Sequence, residues 1–88
     1  MKLIIAIIRD EDNDRVSGKL TEAGFRVTFI ASTGGFLRSG RSTLLIGVEE
    51  ERVEEALELL RTECTPARDA RESKATVFVL NVREFAQL

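Results

Sequence analysis

Leu3-Ile4-Ile5-Ala6-Ile7-Ile8 is an unbroken apolar run. Its β-branched residues favour extended backbone, and the lack of polar alternation fits a strand covered or paired on every side. A second run of this kind, Thr43-Leu44-Leu45-Ile46-Gly47-Val48, lies near mid-chain. The cluster Asp10-Glu11-Asp12-Asn13-Asp14 ends the first run. There Asp12 or Asn13 is expected to cap a helix, accepting a bond from a free N–H of its first turn, with the acidic cluster solvated. Val16, Leu20 and Ala23 follow at i, i+4 and i+7, the narrow apolar face of a helix that Gly24 stops. Phe25, Val27 and Phe29 then alternate with Arg26 and Thr28, which predicts a half-exposed strand.

After the second run, Glu49-Glu50-Glu51 suits the positive end of another helix. Its face is Val53, Ala56, Leu57 and Leu60, with Cys64 one turn further and Pro66 ending it. Residues 65–74 are a polar, charged connection. Residues 75–82 form the last strand, Val77, Val79 and Asn81 alternating against Phe78, Leu80 and Val82, and Phe85 and Leu88 give a short apolar tail. Two split βαβ units in this order predict an α+β, ferredoxin-like βαββαβ sandwich: a four-stranded antiparallel sheet with two helices on one face. In that topology the first and third strands are central, the places that the two apolar runs occupy. The other sheet face has no helix, so a ligand or another subunit must cover it if it is apolar.

Eighty-eight residues make one domain, residues 1–88. A net charge of −2 argues against a partner such as DNA, RNA or an anionic membrane, each of which needs a basic surface. A small anionic ligand needs only a local concentration of arginine. The six-residue apolar run is too short for a membrane span or a secretory signal core, so a cytoplasmic protein is expected. With one cysteine and no histidine, an intrachain disulfide, the usual zinc sets and a Cys–His nucleophile pair are excluded. The acidic cluster lacks the spacing of a calcium loop. No metal site, no cofactor and no enzyme activity are expected.

The stretch Ser32-Thr33-Gly34-Gly35-Phe36-Leu37-Arg38-Ser39-Gly40-Arg41 sets glycines, hydroxyls and arginines around one apolar ring. Such a loop offers backbone N–H groups, cations and an aromatic face together, as a nucleotide site requires. The same glycines also serve as turn residues, and the loop lacks the ending of a P-loop. Phe36 suits stacking on a base or packing into a neighbouring subunit. Gly47 inside a strand marks a close approach of backbone or ligand.

Taken together, Met1-Lys2-Leu3-Ile4-Ile5-Ala6-Ile7, Glu22-Ala23-Gly24-Phe25-Arg26-Val27-Thr28, Thr33-Gly34-Gly35-Phe36-Leu37-Arg38-Ser39-Gly40, Leu45-Ile46-Gly47-Val48-Glu49, Arg52-Val53-Glu54-Glu55-Ala56-Leu57 and Ala75-Thr76-Val77-Phe78-Val79-Leu80 resemble the PII-like cyclic-di-AMP receptors of bacteria. The resemblance spans nearly the whole chain apart from residues 65–74. It implies a signal-transduction protein that assembles as a homotrimer, its sheets packed inward, with cyclic-di-AMP held between subunits and read by a downstream protein that the sequence does not identify. Carried over by residue, Arg26 and Thr28 contact ligand, the backbone of Gly35, Phe36 and Leu37 holds phosphate and base, and Gly47 lets a base approach. Phe78 and Gln87 match positions near the same cleft.

Two departures bear on the ligand. The family pattern has a small amide, reading an adenine edge, where this chain has Arg41. Arginine carries only donors and suits phosphate instead. The family's long glycine- and proline-rich loop, thought to signal occupancy outward, is replaced by the short charged connection 65–74. ATP or ADP is therefore the alternative ligand, and a trimeric interaction module without ligand is the alternative in kind.

Overall fold

The computed structural model describes residues 1–32, 40–67 and 73–88. Four strands and two helices follow in the expected order. β1 spans Lys2–Arg9 and a single 3-10 turn, Asp10–Asp12, leads into α1 at Asn13–Glu22. β2 is Arg26–Ser32 and β3 is Arg41–Val48. A second 3-10 turn, Glu50–Arg52, precedes α2 at Val53–Glu63, and β4 is Ala75–Asn81. The sheet is antiparallel with strand order β2-β3-β1-β4, so the two apolar runs are its central strands. The fold is the ferredoxin-like sandwich that the periodicity predicts.

Register divides each strand between two environments. Ile4 lies opposite Ile46 and Ala6 opposite Leu44. These four and Ile8 are fully buried beneath Val16 and Leu20 of α1 and Ala56 and Leu60 of α2. Their neighbours Leu3, Ile5, Ile7 and Leu45 face the other way and are half-buried. Both faces of β1 are thus apolar, which explains the missing polar alternation. On the open face β4 contributes Phe78, 52% exposed, and Leu80, 46% exposed. These rings and branched chains leave an exposed apolar patch on that face.

Gly24 ends α1 as expected. Its φ of 90° lies in the left-handed region, and the amides of Gly24 and Phe25 close back on the carbonyls of Thr21 and Leu20. The half-exposed strand also follows, with a register break between Phe29 and Ala31. A bulge of this kind bends the strand and raises its twist.

Asp12 departs from the sequence expectation. Neither Asp12 nor Asn13 caps α1 with its side chain; Asn13 accepts from the hydroxyl of Ser17 instead. The Asp12 carboxylate is fully buried. It accepts the backbone N–H of Thr65 at 3.0 Å, the Thr65 hydroxyl at 2.5 Å and Arg15 Nη2 at 2.6 Å. A carboxylate shielded from water gains more from a cation and two converging donors than from one helix N–H. It therefore joins the start of α1 to the chain leaving α2, a contact 53 residues apart in sequence.

Cys64 sits just past α2, buried as a small apolar group. Burial, then the nearby Asp12 charge, pushes its thiol pKa up. Alkylation at pH 8 is expected to be at least about tenfold slower in the folded protein than in urea, because so little thiolate is present and accessible. Labelling rates with a maleimide check this.

Candidate functional site

The open face carries two cross-strand rows. Arg26, Gly47, Leu3 and Leu80 form the first, and Thr28, Leu45, Ile5 and Phe78 the second. Arg26 and Thr28 point to one face because they are two residues apart on a strand. Both are exposed. Gly47, between Arg26 and Leu3, leaves a gap in the floor. Among the described residues, a Cβ placed there would meet only the Met1 Cε, at an ordinary 3.7 Å. Among the described residues no other part of the protomer's backbone presses on the glycine, and they leave the space beside it open.

That space is a cavity of about 630 Å³, lined among others by Leu3, Arg26, Thr28, Leu45, Gly47 and Phe85. Its volume falls within the range of small-molecule sites, which are apolar with a few placed polar groups. The chain after β4 forms one wall. Val82 donates its N–H to the Met1 carbonyl at 3.1 Å, turning the tail across the end of the sheet. The tail then brings Gln87 to Arg26, whose Nη1 donates to Gln87 Oε1 at 3.2 Å. Arg26, Thr28, Gly47 and Gln87 thus share one end of the protomer.

Phe78 and Arg41 lie elsewhere. Phe78 is in the row of Thr28 but on the opposite outer strand, with β3 and β1 between them. Three strand spacings amount to about 14 Å. Arg41 is on the open face of β3 but six residues from Gly47, about 20 Å at the rise of a strand. There its Nη1 donates to the Ser73 carbonyl at 3.3 Å. Gly35, Phe36 and Leu37 lie outside the described residues.

Leu3, Leu45 and Phe85 are cleft residues that sequence reasoning did not single out. The alternation of β3 puts Leu45 on the face of Gly47, but only cross-strand register places both beside Arg26. Phe85 joins them through a turn that no periodicity announces. The cleft offers an apolar floor, a hydroxyl and a guanidinium held by an amide, which suits recognition of a planar base joined to an anion. Among the described residues, no group of three or more His, Cys, Asp or Glu side chains is placed to hold a metal ion. No helix among them is long and apolar enough to cross a membrane.

A family model described as "Cyclic-di-AMP receptor" matches residues 1–73. Among solved structures, that of a functionally unknown protein from Pediococcus pentosaceus ATCC 25745 superposes with a TM-score of 0.78. The two sequences are 37% identical over 99% of this chain and 96% of the other.

Proposed function

The chain belongs to the cyclic-di-AMP receptor family, and from that premise we propose that it binds cyclic-di-AMP in a cleft shared by neighbouring protomers of a homotrimer. The observation that carries this reading is the separation of the candidate residues. Arg26 and Thr28 stand on one outer strand and Phe78 on the other. Within one protomer a ligand would have to cross about 14 Å of sheet, over β3 and β1, to touch Phe78 together with Arg26 and Thr28. It reaches both sets when β2 of one protomer faces β4 of the next. Closing three sheets this way also buries the bare open face, including Phe78 and Leu80.

In such a cleft each group has a role that its chemistry supports. Arg26 supplies charge-assisted hydrogen bonds to a phosphodiester, and Thr28 adds a hydroxyl. Gly47 and Leu45 let a base lie flat against the sheet. Phe78 stacks from the neighbouring protomer, an interaction of about 1–3 kcal/mol per base. Gln87, which accepts from Arg26, has the donors and acceptor to read a base edge. The family is one of receptors, and this mechanism makes and breaks no covalent bond. Its output is a change read by a downstream protein.

Isothermal titration with cyclic-di-AMP, cyclic-di-GMP, ATP and AMP, alongside sedimentation to establish the trimer, tests the proposal. Cyclic-di-AMP is expected to bind most tightly, at one molecule per protomer. A folded trimer that gives no heat with any of the four defeats the reading. Preference for ATP would favour the second reading, which rests on Arg41 as a phosphate partner. Arg26→Ala is expected to weaken cyclic-di-AMP binding by about tenfold, the loss of one hydrogen bond to a charged group. Titration of the variant, with melting unchanged, checks this.

A further inference from the structure

Among the described residues, the charged side chains that line the cavity beside Gly47 are Lys2, Arg26, Arg52, Glu49 and Glu84. Two of the three cations are already answered by carboxylates outside the lining. Arg52 Nε and Nη2 each donate to a Glu55 oxygen at 2.9 Å, and the guanidinium sits 4.1 Å from the centre of the Phe25 ring. Lys2 Nζ lies 3.7 Å from a Glu50 oxygen and donates to Asn81 Oδ1. Arg26 has the neutral Gln87 amide as its partner. Glu49 follows the last residue of β3, and Glu84 precedes Phe85 in the tail. Both are exposed, and among the described residues no cation lies within ion-pair distance of either carboxylate. The cavity therefore sets one unbalanced guanidinium against two unbalanced carboxylates.

The surfaces between these charges include Leu3, Leu45 and Phe85. Apolar walls focus the field of the groups that line a cleft. A group with a single negative charge is held at Arg26. Each further negative charge meets Glu49 and Glu84, and among the described lining residues no second unbalanced guanidinium offsets them. A phosphodiester carries a single charge, whereas a terminal phosphate carries about −1.5 to −2. A triphosphate chain carries more.

We infer that Glu49 and Glu84 are specificity-determining residues of this cleft: they turn away nucleotides that carry terminal phosphates and admit the phosphodiesters of a cyclic dinucleotide. The inference rests on the proposed cyclic-di-AMP site and adds the groups that set the charge of its ligand. When water cleaves one phosphodiester of cyclic-di-AMP, one ribose keeps a hydroxyl and the other a terminal phosphate. The bases are unchanged, but the charge rises. The cleft thus distinguishes the intact ring from its opened, linear product and from ATP.

Calorimetric titration with cyclic-di-AMP, the linear dinucleotide and ATP, without divalent metal, tests this in wild type and in the Glu49→Gln, Glu84→Gln double variant. Asp14→Asn is the control: Asp14 is exposed, stands in the first turn of α1 and does not line the cavity. The double variant is expected to lose about tenfold of the wild-type preference for cyclic-di-AMP over the other two at low salt. This corresponds to about threefold for each unit charge held several ångströms away in water. Each single variant is expected to lose about threefold, and melting shows which variants are folded. At about 1 M salt, where charges are screened within about 3 Å, the loss is expected to fall below about twofold. An unchanged preference overturns the inference, as does an equal loss in Asp14→Asn or a loss that survives high salt. Wild type that gives no heat with cyclic-di-AMP, beside a double variant that takes up ATP, defeats the functional reading and leaves the charge selection standing. A double variant that binds ATP no better than wild type overturns the selection whatever the wild type binds.

Discussion

Asp12→Ala is expected to cost about 3 kcal/mol and to lower the melting temperature by roughly 12–20 °C. The carboxylate is fully buried and binds three donors: the Thr65 N–H, the Thr65 hydroxyl and Arg15 Nη2. Truncation leaves the Thr65 amide without its acceptor and Arg15 without its closest anion, and it opens a polar hole between α1 and the end of α2. Calorimetric or fluorescence melting measures the effect. A shift below about 4 °C, the amount one surface contact would give, would contradict it.

The same residue gives the stability an acid dependence of definite sign. Burial pushes the Asp12 pKa up, but the two bonds from Thr65 and the charge and hydrogen bond of Arg15 together outweigh it and leave it lowered. The folded protein therefore holds the Asp12 proton less tightly than the unfolded chain. The stabilisation is fully present above the unfolded value near 3.8 and is lost as pH falls through the lower folded value. Urea unfolding from pH 6 down to pH 2 is expected to show a steeper fall below pH 4 in wild type than in Asp12→Asn, which cannot titrate. Parallel curves for the two proteins would refute the assignment.

Gly47→Val is expected to reduce cyclic-di-AMP binding by about a hundredfold while leaving stability within about 1 kcal/mol of wild type. The two halves of that statement have different sources. Among the described residues a Cβ at position 47 meets only Met1 Cε at 3.7 Å, so the fold has room for it. Valine also suits a strand better than glycine does, which offsets any strain at the branch. The added methyls, however, fill the cleft floor between Leu3 and Arg26, where the proposal places a base. Titration and melting on one preparation separate the effects. Wild-type affinity in a folded Gly47→Val protein would place the ligand elsewhere, and a collapsed melting temperature would make Gly47 a folding residue.

The sequence reading was strongest where pattern follows from local geometry. The unbroken apolar run of β1 predicted a central strand because both of its faces meet apolar neighbours, and register shows Ile4, Ala6 and Ile8 on the core and Leu3, Ile5 and Ile7 on the open face. Gly24 was legible as a helix stop because its left-handed backbone suits glycine above other residues. Asp12 was misread because the preference of an acidic side chain for a helix start is local, whereas its actual donors arrive from Thr65, more than fifty residues away. The candidate site was legible by residue type and by family resemblance. Its division was not: Arg26, Thr28, Gly47 and Gln87 gather at one end of a protomer, while Phe78 and Arg41 stand apart.

By itself the sequence determined the order of strands and helices, the two central strands and the family. These follow from periodicity and from motifs, which lie along the chain. Only the tertiary structure decided that Arg26 is held by Gln87, that Asp12 joins α1 to the end of α2, and that Arg41 and Arg9 bracket the connection between α2 and β4. Each of these contacts joins groups 32 to 61 residues apart. Pairings at such range depend on strand register and on where the chain turns, and neither leaves a periodic mark in the sequence.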